Sequence, residues 1–274
     1  MKKPSRHTFV LSVGFCCAAL LSAHQLASQS APPQHVSRPG GMTPEQIAAA
    51  QKAHEEQVRT DWADLNKYRS ADAALPAPAA NEARVVFMGD SITEIWGKRL
   101  NPAMAEPAPF FPGKPYINRG ISGQTSPQML VRFRQDVIDL QPKVVVILAG
   151  TNDLAENTGP MRLEDTESNL ESMSDLAKAN GIRVVLCSVL PAKSFWWHPG
   201  IDPSAKIVEL NQWIRNYAEK RGFPYVDYYN AMLNEEGGLR SDLSADGVHP
   251  NPKGFAIMAP LAEAGIAQAL KSEE

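Results

Sequence analysis

Five short apolar segments recur through the last two thirds of the chain, and they constrain the fold more than any other feature. A segment such as Val144 to Ala149, which reads VVVILA, is continuous and rich in β-branched residues, a pattern typical of a strand covered on both faces. Because helix-like stretches separate these segments, they predict a parallel sheet with helices on both sides, an α/β fold. The predicted strands are Val85 to Met88, Tyr116 to Asn118, Val144 to Ala149, Arg183 to Ser188 and Tyr225 to Asp227.

Capping signals indicate where the helices begin and end. Thr43, Pro44 and Gln46 fit a capping box that opens a helix expected to run to about Ser70. Gly222 is typical of a residue that ends a helix. The further predicted helices are Ile92 to Leu100, Ser126 to Gln141, Arg162 to Ala179, Asp202 to Arg221 and Pro252 to Leu270.

The N-terminus has the features of a secretory signal peptide, predicted over residues 1–30. Lys2, Lys3 and Arg6 precede an apolar stretch from Thr8 to Ala23, and small residues follow. The apolar stretch is too short to cross a bilayer, so we expect no stable membrane span in the mature form. The predicted localisation is secreted or periplasmic, and an uncleaved N-terminal anchor is the alternative.

Residues 31–83 are interpreted as a Pro-rich linker and an N-terminal helix, which precede a single domain over residues 84–274. Trp62, Leu65 and Tyr68 recur at helical spacing, and we expect them to pack this helix on the domain. The sequence does not indicate what the helix does there.

Charge and cysteine content exclude several classes of function. The net charge is −3 and no basic stripe is present, so we expect no nucleic-acid partner. Cys16 and Cys17 lie in the export segment, which leaves Cys187 alone and allows no intramolecular disulfide. Cys187 lies within an apolar strand and is interpreted as a core residue.

Four polar loops that contain glycine carry the candidate chemistry. Three follow predicted strands, and the fourth precedes the last helix. Because the carboxyl ends of parallel strands share one edge of a sheet, we expect the first three loops to meet. The loops are Gly89-Asp90-Ser91, Asn118 to Thr125, Gly150 to Asp153 and Asp246 to Pro250.

Acyl transfer needs a hydroxyl nucleophile, a base within hydrogen-bond reach and an acid that orients the base. Ser91 and His249 are residues of the required types. Asp246 lies three positions before His249, so one turn can bring its carboxylate to the ring, whereas the second acid, Asp242, lies further away. Taken alone, however, a serine that follows Asp90 before a helix fits an ordinary N-cap sequence.

The negative charge that develops on the substrate oxygen also needs fixed donors. The backbone N–H groups of Ser91 and Gly123 and the side-chain amide of Asn152 are the candidates. Glycine at position 123 lets the backbone approach a substrate closely.

These loops, in this order, resemble the SGNH hydrolase superfamily, also called GDSL. The residues for which the superfamily is named are here Ser91, Gly123, Asn152 and His249, within GDSI, GISGQT, GTND and DGVHP. The resemblance covers about residues 84–270. Its second loop is also similar to platelet-activating-factor acetylhydrolase-like and bacterial esterase branches, which implies short acyl groups.

The resemblance implies a three-layer α/β/α sandwich around a flavodoxin-like parallel sheet. It implies Ser91 as the nucleophile, His249 as the base and Asp246 as the acid that orients the base. It also implies an oxyanion hole formed by Ser91, Gly123 and Asn152, and no cofactor.

An aromatic loop follows the fourth strand and is expected to overhang the same edge of the sheet. Trp196, Trp197 and His198 form either a substrate wall, against a sugar face or an acyl chain, or a packed anchor of the loop. No spaced Cys, His or Asp partners accompany His198, so we expect no metal site.

The sequence therefore predicts a serine esterase that hydrolyses short acyl esters through an acyl-enzyme. Its substrate is expected to be a small-molecule or carbohydrate ester, because an exported enzyme meets polysaccharide outside the cell. One alternative is a lysophospholipase or thioesterase, which a wide apolar pocket beside Gly123 would favour. The other is a non-catalytic carbohydrate-binding relative, which loss of Ser91, Asp246 or His249 would indicate. The oligomeric state is left open.

Overall fold

The computed structural model describes residues 44–98 and 106–271. The predicted signal peptide, the Pro-rich linker and the proposed N-cap Thr43 lie outside the described residues. Within the described ranges, no helix is long and apolar enough to cross a membrane.

The centre of the protein is a five-stranded sheet in which every neighbouring pair of strands is parallel. The strand order is β2-β1-β3-β4-β5, which confirms the predicted doubly wound α/β fold. Every residue of β1 and β3 is buried, as their continuous apolar sequences require. The strands are β1 (Val85–Gly89), β2 (Tyr116–Gly120), β3 (Val144–Leu148), β4 (Arg183–Cys187) and β5 (Tyr225–Val226).

Helices cover both faces of this sheet. The helices are α1 (Pro44–Thr60), α2 (Arg69–Ala74), α3 (Ser91–Glu94), α4 (Ser126–Asp136), α5 (Thr151–Leu154), α6 (Leu163–Ala179), α7 (Ser204–Arg221), α8 (Tyr228–Met232) and α9 (Pro252–Lys271). Apolar side chains of α4, α6 and α7 form one core with Val86, Val145 and their neighbours. Side chains of α8 and α9 form a second core against Val85 and Val146. The three layers agree with the sandwich that the resemblance implied.

The strand order places the switch point of the sheet between β1 and β3. To one side of this point the chain winds toward β2, and to the other toward β4 and β5. Ligands bind at such points in open α/β sheets, outside the carboxyl ends of the strands. Ser91 directly follows β1, and Asn152 lies in the short helix that follows β3, so the fold brings two predicted site residues to this point.

The predicted N-terminal helix is wrong in its second half. Helix α1 ends at Thr60, and the chain turns before α2 begins at Arg69. The Asp61 carboxylate accepts hydrogen bonds from the backbone N–H groups of Leu65 and Asn66, and this holds the turn. The aromatic residues in this stretch therefore do not form one helical face.

Two further helices are shorter than predicted. Helix α3 ends at Glu94, and Gly97 has a φ of 84°, which a regular helix does not allow. Helix α4 ends at Asp136 and is followed by a 3₁₀ turn, Ile138–Leu140. Gln141 then adopts a left-handed conformation, so the chain leaves the helical path before Pro142.

Candidate active site

The turn after β1 presents Ser91 at the first position of α3. Asp90 caps this helix, because its Oδ1 accepts a hydrogen bond of 2.9 Å from the N–H of Ile92. A Cβ at Gly89 would lie 2.1 Å from Thr93 Oγ1 and 3.2 Å from the carbonyl oxygen of Leu148. Glycine is therefore required for the strand to turn so tightly beside β3.

Two hydrogen bonds connect Ser91, His249 and Asp246. Ser91 Oγ lies 2.9 Å from His249 Nε2, although 158 positions separate the two residues in the chain. On the other side of the ring, His249 Nδ1 lies 2.7 Å from Asp246 Oδ2. With Nδ1 donating to the carboxylate, Nε2 is free to take a proton from the hydroxyl, which is the arrangement that activates a serine nucleophile.

The Asp246 carboxylate is held rigidly and stays ionised. Its Oδ1 accepts hydrogen bonds from the backbone N–H groups of Val248, at 3.0 Å, and His249, at 2.8 Å. Partial burial would raise the pKa of Asp246, but the hydrogen bonds and charge of His249 outweigh it and hold that pKa well below its usual range. This carboxylate can therefore orient the imidazole and stabilise its protonated form.

The three predicted oxyanion donors differ in how their hydrogens are used. Within the described residues, the backbone N–H groups of Ser91 and Gly123 donate no hydrogen bond, so both can serve an oxyanion. The Asn152 amide nitrogen donates to the carbonyl of Gln124, at 3.0 Å, and lies 3.3 Å from Asp90 Oδ2. The contact with Asp90 is the longer one, and Asn152 can exchange it for an oxyanion.

Asn157 connects the oxyanion candidates to the aromatic loop. Its Nδ2 donates both to the carbonyl of Gly123, at 3.0 Å, and to Asn152 Oδ1, at 2.9 Å. Its Oδ1 accepts a hydrogen bond of 2.8 Å from Trp197 Nε1. Gly123 has a φ of 78°, where glycine carries no strain. Asn157 therefore fixes the orientation of the Gly123 loop, a role that the sequence analysis missed.

The residues of the aromatic loop lie in different surroundings. Trp197 lies beside the base, with 6.2 Å between the centres of its ring and the His249 ring, and Trp196 packs edge-on against Trp197. Phe195 is fully buried and anchors the loop. The backbone N–H of His198 donates to the Phe195 carbonyl, and no contact of the His198 side chain with Ser91 or His249 is present among the described residues.

Two buried aspartates beside the site have structural partners. Burial raises the pKa of Asp90 to about 6, opposed by the hydrogen bond from Ile92. The Asp153 carboxylate accepts hydrogen bonds from the backbone and hydroxyl of Ser126 and from Thr166. Both carboxylates therefore hold the backbone and side chains of the loops around the site. Among the described residues, no cluster of three or more potential metal ligands is present.

Glu94 joins the nucleophile helix to the oxyanion loop. Its Oε2 accepts hydrogen bonds of 2.7 Å from both the backbone N–H and the hydroxyl of Ser122, the residue before Gly123. Its Oε1 pairs with Lys67, at 2.8 Å, and with Lys98, at 3.3 Å. Burial would raise the pKa of Glu94, but the hydrogen bonds from Lys67 and Ser122 outweigh it and lower the pKa to about 2.

We expect the variant Glu94→Gln to unfold more easily at neutral pH, by about 2 kcal/mol, because it loses hydrogen bonds to a charged acceptor. A depressed pKa in the folded state stabilises the protein above the ordinary value of 4.5. That stabilisation is lost as the pH falls toward 2, so the difference between the two proteins should shrink. Urea unfolding at pH 7, 4.5 and 3 measures the difference in the free energy of unfolding between the variant and the wild type.

The matched control for this experiment is Glu263→Gln, which removes a carboxylate from an open ion pair of 3.5 Å with Lys114. Such pairs contribute little, so the control should change the free energy of unfolding by less than about 0.5 kcal/mol. If Glu94→Gln changed the free energy of unfolding equally at pH 7 and pH 3, the result would contradict a lowered pKa for Glu94.

The comparison with known families decides the class of the protein. The GDSL-like lipase/acylhydrolase family matches residues 87–257, which include every residue of the hydrogen-bonded site described above. The chain belongs to this family. The match assigns the domain to the ester-hydrolysing enzymes.

The proteins similar to this chain include two solved structures and an esterase. A GDSL-like lipase from Bacteroides thetaiotaomicron is 47% identical, with a TM-score of 0.71, over 76% of this chain and 100% of that one. A structure from Bacteroides fragilis is 46% identical, with a TM-score of 0.72, over 77% and 100% of the two chains. An acetylxylan esterase from Xylanibacter ruminicola is 28% identical over 221 residues, 70% of this chain. The match spans only 45% of that esterase.

Proposed function

We propose that this protein is a serine esterase that hydrolyses carboxylic esters with short acyl groups through an acyl-enzyme. The hydrogen-bonded chain from Ser91 Oγ through His249 to Asp246 is the observation that carries the proposal. Asp246 and His249 lie in one loop, and Ser91 lies in another that is 158 positions from His249, so the fold brings the hydroxyl to the imidazole.

The reaction follows from the positions of these atoms. Ser91 Oγ attacks the ester carbonyl as His249 Nε2 takes its proton, which gives a tetrahedral intermediate. The N–H groups of Ser91 and Gly123 and the Asn152 amide donate hydrogen bonds to its negatively charged oxygen. Collapse of this intermediate expels the alcohol, which takes the proton from His249. Water then attacks the acyl-enzyme with His249 again as base, and the acid leaves.

The described residues beside Gly123 enclose a small cavity, not the wide space that a long acyl chain needs. This cavity, called the Gly123 cavity below, has a volume of about 210 Å³, smaller than the roughly 300–1,000 Å³ of pockets that enclose drug-sized ligands. Most of its wall is polar, whereas a lysophospholipase or thioesterase needs a wide apolar pocket at this place. The lining residues are Gln57, Val58, Asp64, Lys67, Ile121, Ser122, Gly123, Gln124, Gln128, Asn157 and Thr158.

Two observations support a carbohydrate ester as the substrate. One relative is an acetylxylan esterase, and Trp197 places an indole ring next to His249, where an aromatic face can stack on a sugar. The signal peptide predicted for residues 1–30 supports a secreted or periplasmic location, where acetylated polysaccharide is available.

The test is the rate of hydrolysis of p-nitrophenyl esters from acetate to laurate. We expect kcat/KM to be highest for acetate and to fall by about 10-fold or more by the octanoate, because the acyl chain outgrows the site. The release of acetate from acetylated xylan should occur under the same conditions. A rate that peaks at long chains would contradict the proposal and favour a lipid or thioester substrate.

A further inference from the structure

The N-terminal segment forms one wall of the Gly123 cavity. Gln57 and Val58 come from α1, and Asp64 and Lys67 come from the turn that follows it. The opposite wall is the loop that carries Gly123, so the cavity directly borders a proposed oxyanion donor. A group bound here would lie beside Gly123.

Hydrogen bonds from the oxyanion loop and from α4 fix this wall to the domain. Gln124 Nε2 donates to the carbonyl of Ala63, at 2.7 Å, and Gln128 Nε2 donates to the carbonyl of Trp62, at 2.6 Å. Tyr68 donates its hydroxyl to the carbonyl of Gly120, at 2.5 Å. The segment is therefore a built part of the site, positioned by residues adjacent to the oxyanion loop.

Asp64 contributes a carboxylate to this wall. Among the described residues, no hydrogen bond or ion pair reaches its carboxylate, whereas Lys67 is paired with Glu94 at 2.8 Å. Partial burial raises the pKa of Asp64, and the charge of Lys67 opposes this only in part. The side-chain amide of Gln57 already donates a hydrogen bond of 2.6 Å to the carbonyl of Asp61.

The backbone holds Asp64 in an unusual conformation. Its φ is 52°, in the left-handed region that non-glycine residues seldom adopt. The N–H of Asp64 donates to the carbonyl of Asp61, at 2.8 Å, and its own carbonyl accepts from the N–H of Lys67, at 3.1 Å. These bonds fix the side chain on the cavity wall.

An ionised carboxylate accepts hydrogen bonds and donates none. Hydroxyl groups on adjacent ring carbons are matching donors, and an acyl chain offers none. We propose that the Gly123 cavity is a subsite for the sugar ring that bears the ester, with Asp64 as the acceptor for its free hydroxyls. This inference rests on the proposed esterase function, and it adds the N-terminal segment as the source of specificity.

The experiment compares two esters that differ only in their hydroxyls. One is a methyl pyranoside with a single acetyl group and free neighbouring hydroxyls, and the other is tetrahydropyranyl acetate, whose ring has none. The variant Asp64→Gly removes the carboxylate and tolerates the positive φ. Asp64→Asn also tolerates it and removes only the charge.

We expect Asp64→Gly to lower kcat/KM for the pyranoside ester by about 10- to 100-fold, chiefly through KM, because charged hydrogen bonds to the ring are lost. The rates on tetrahydropyranyl acetate and p-nitrophenyl acetate should not change. Asp64→Asn should lower kcat/KM for the pyranoside ester by a smaller factor. Asp139→Asn, which changes an exposed aspartate beyond α4, is the matched control and should behave like the wild type.

A second variant tests the cavity without touching the carboxylate. Val58→Phe fills the space, and it should weaken hydrolysis of the pyranoside ester while p-nitrophenyl acetate is hydrolysed as before. Equal losses on all three esters in Asp64→Gly would overturn the subsite, since they would indicate a general disturbance of the oxyanion loop. A wild type that hydrolyses p-nitrophenyl acetate but does not prefer the hydroxylated ring would also overturn it. A wild type inactive on every ester would instead overturn the esterase proposal.

Discussion

Replacing Ser91 with alanine is expected to lower kcat for ester hydrolysis by about 10⁴- to 10⁶-fold while KM changes little. Ser91 Oγ lies 2.9 Å from His249 Nε2, and alanine leaves the imidazole without a hydroxyl to activate. The small remaining rate would come from water bound near the oxyanion donors. The measurement is hydrolysis of p-nitrophenyl acetate by the wild type and by the variant.

Two controls separate chemistry from folding in this experiment. Ser172→Ala removes an exposed hydroxyl that donates to the carbonyl of Ser168 on its own helix, and it should retain full activity. The melting temperature of Ser91→Ala should match that of the wild type, because Ser91 is only half-buried and Asp90 supplies the helix cap. A fluorophosphonate should label the wild type but not the variant. Equal activity in both proteins would show that Ser91 is not the nucleophile.

The strands were predictable because their signal is local. Val144 to Leu148 is buried at every position, and an uninterrupted apolar sequence is the direct consequence. The order of the strands was implied by the resemblance to the SGNH superfamily, because right-handed β–α–β connections are compatible with more than one order. Hence Ser91 and Asn152 could be expected at one edge of the sheet before any coordinates were known.

The segment after α1 could not be predicted from its own sequence. The aromatic spacing of Trp62 and Tyr68 fits a helix, but Asp61 holds a turn there and side chains from elsewhere bind its carbonyls. Gln128 and Gln135, both in α4, donate to the backbone at Trp62 and Leu65. Such hydrogen bonds join positions that are about 70 residues apart, and a pattern within one segment carries no trace of them.

Within the site, too, a contact between near neighbours in the sequence was predictable, whereas contacts between distant residues were not. Asp246 and His249 are three positions apart, so their contact is local and was predictable. Asn157 was missed because its importance lies in simultaneous bonds to Gly123, Asn152 and Trp197, which meet only in the folded chain. Glu94 lies one helical turn after the nucleophile, and this spacing is a signal that could have drawn attention to it.

The variant Asp246→Asn is expected to lower kcat by about 10⁴-fold, although it keeps the size and most of the hydrogen bonds of the carboxylate. The amide oxygen can replace Oδ1, which accepts from the N–H groups of Val248 and His249. The amide nitrogen then faces His249 Nδ1, where Oδ2 now lies at 2.7 Å. Two donors cannot face each other, so the ring must carry its proton on Nε2.

A proton on Nε2 leaves no lone pair for the Ser91 hydroxyl, and the base is lost while its position is kept. The measurement is kcat for p-nitrophenyl acetate, together with the melting temperature as a check on folding. The matched control is Asp242→Asn, because Asp242 is exposed, pairs with Arg240 and is the second acid near the base. Its activity should equal that of the wild type. A variant Asp246→Asn with full activity beside an inactive Asp242→Asn would assign the orienting role to Asp242 instead.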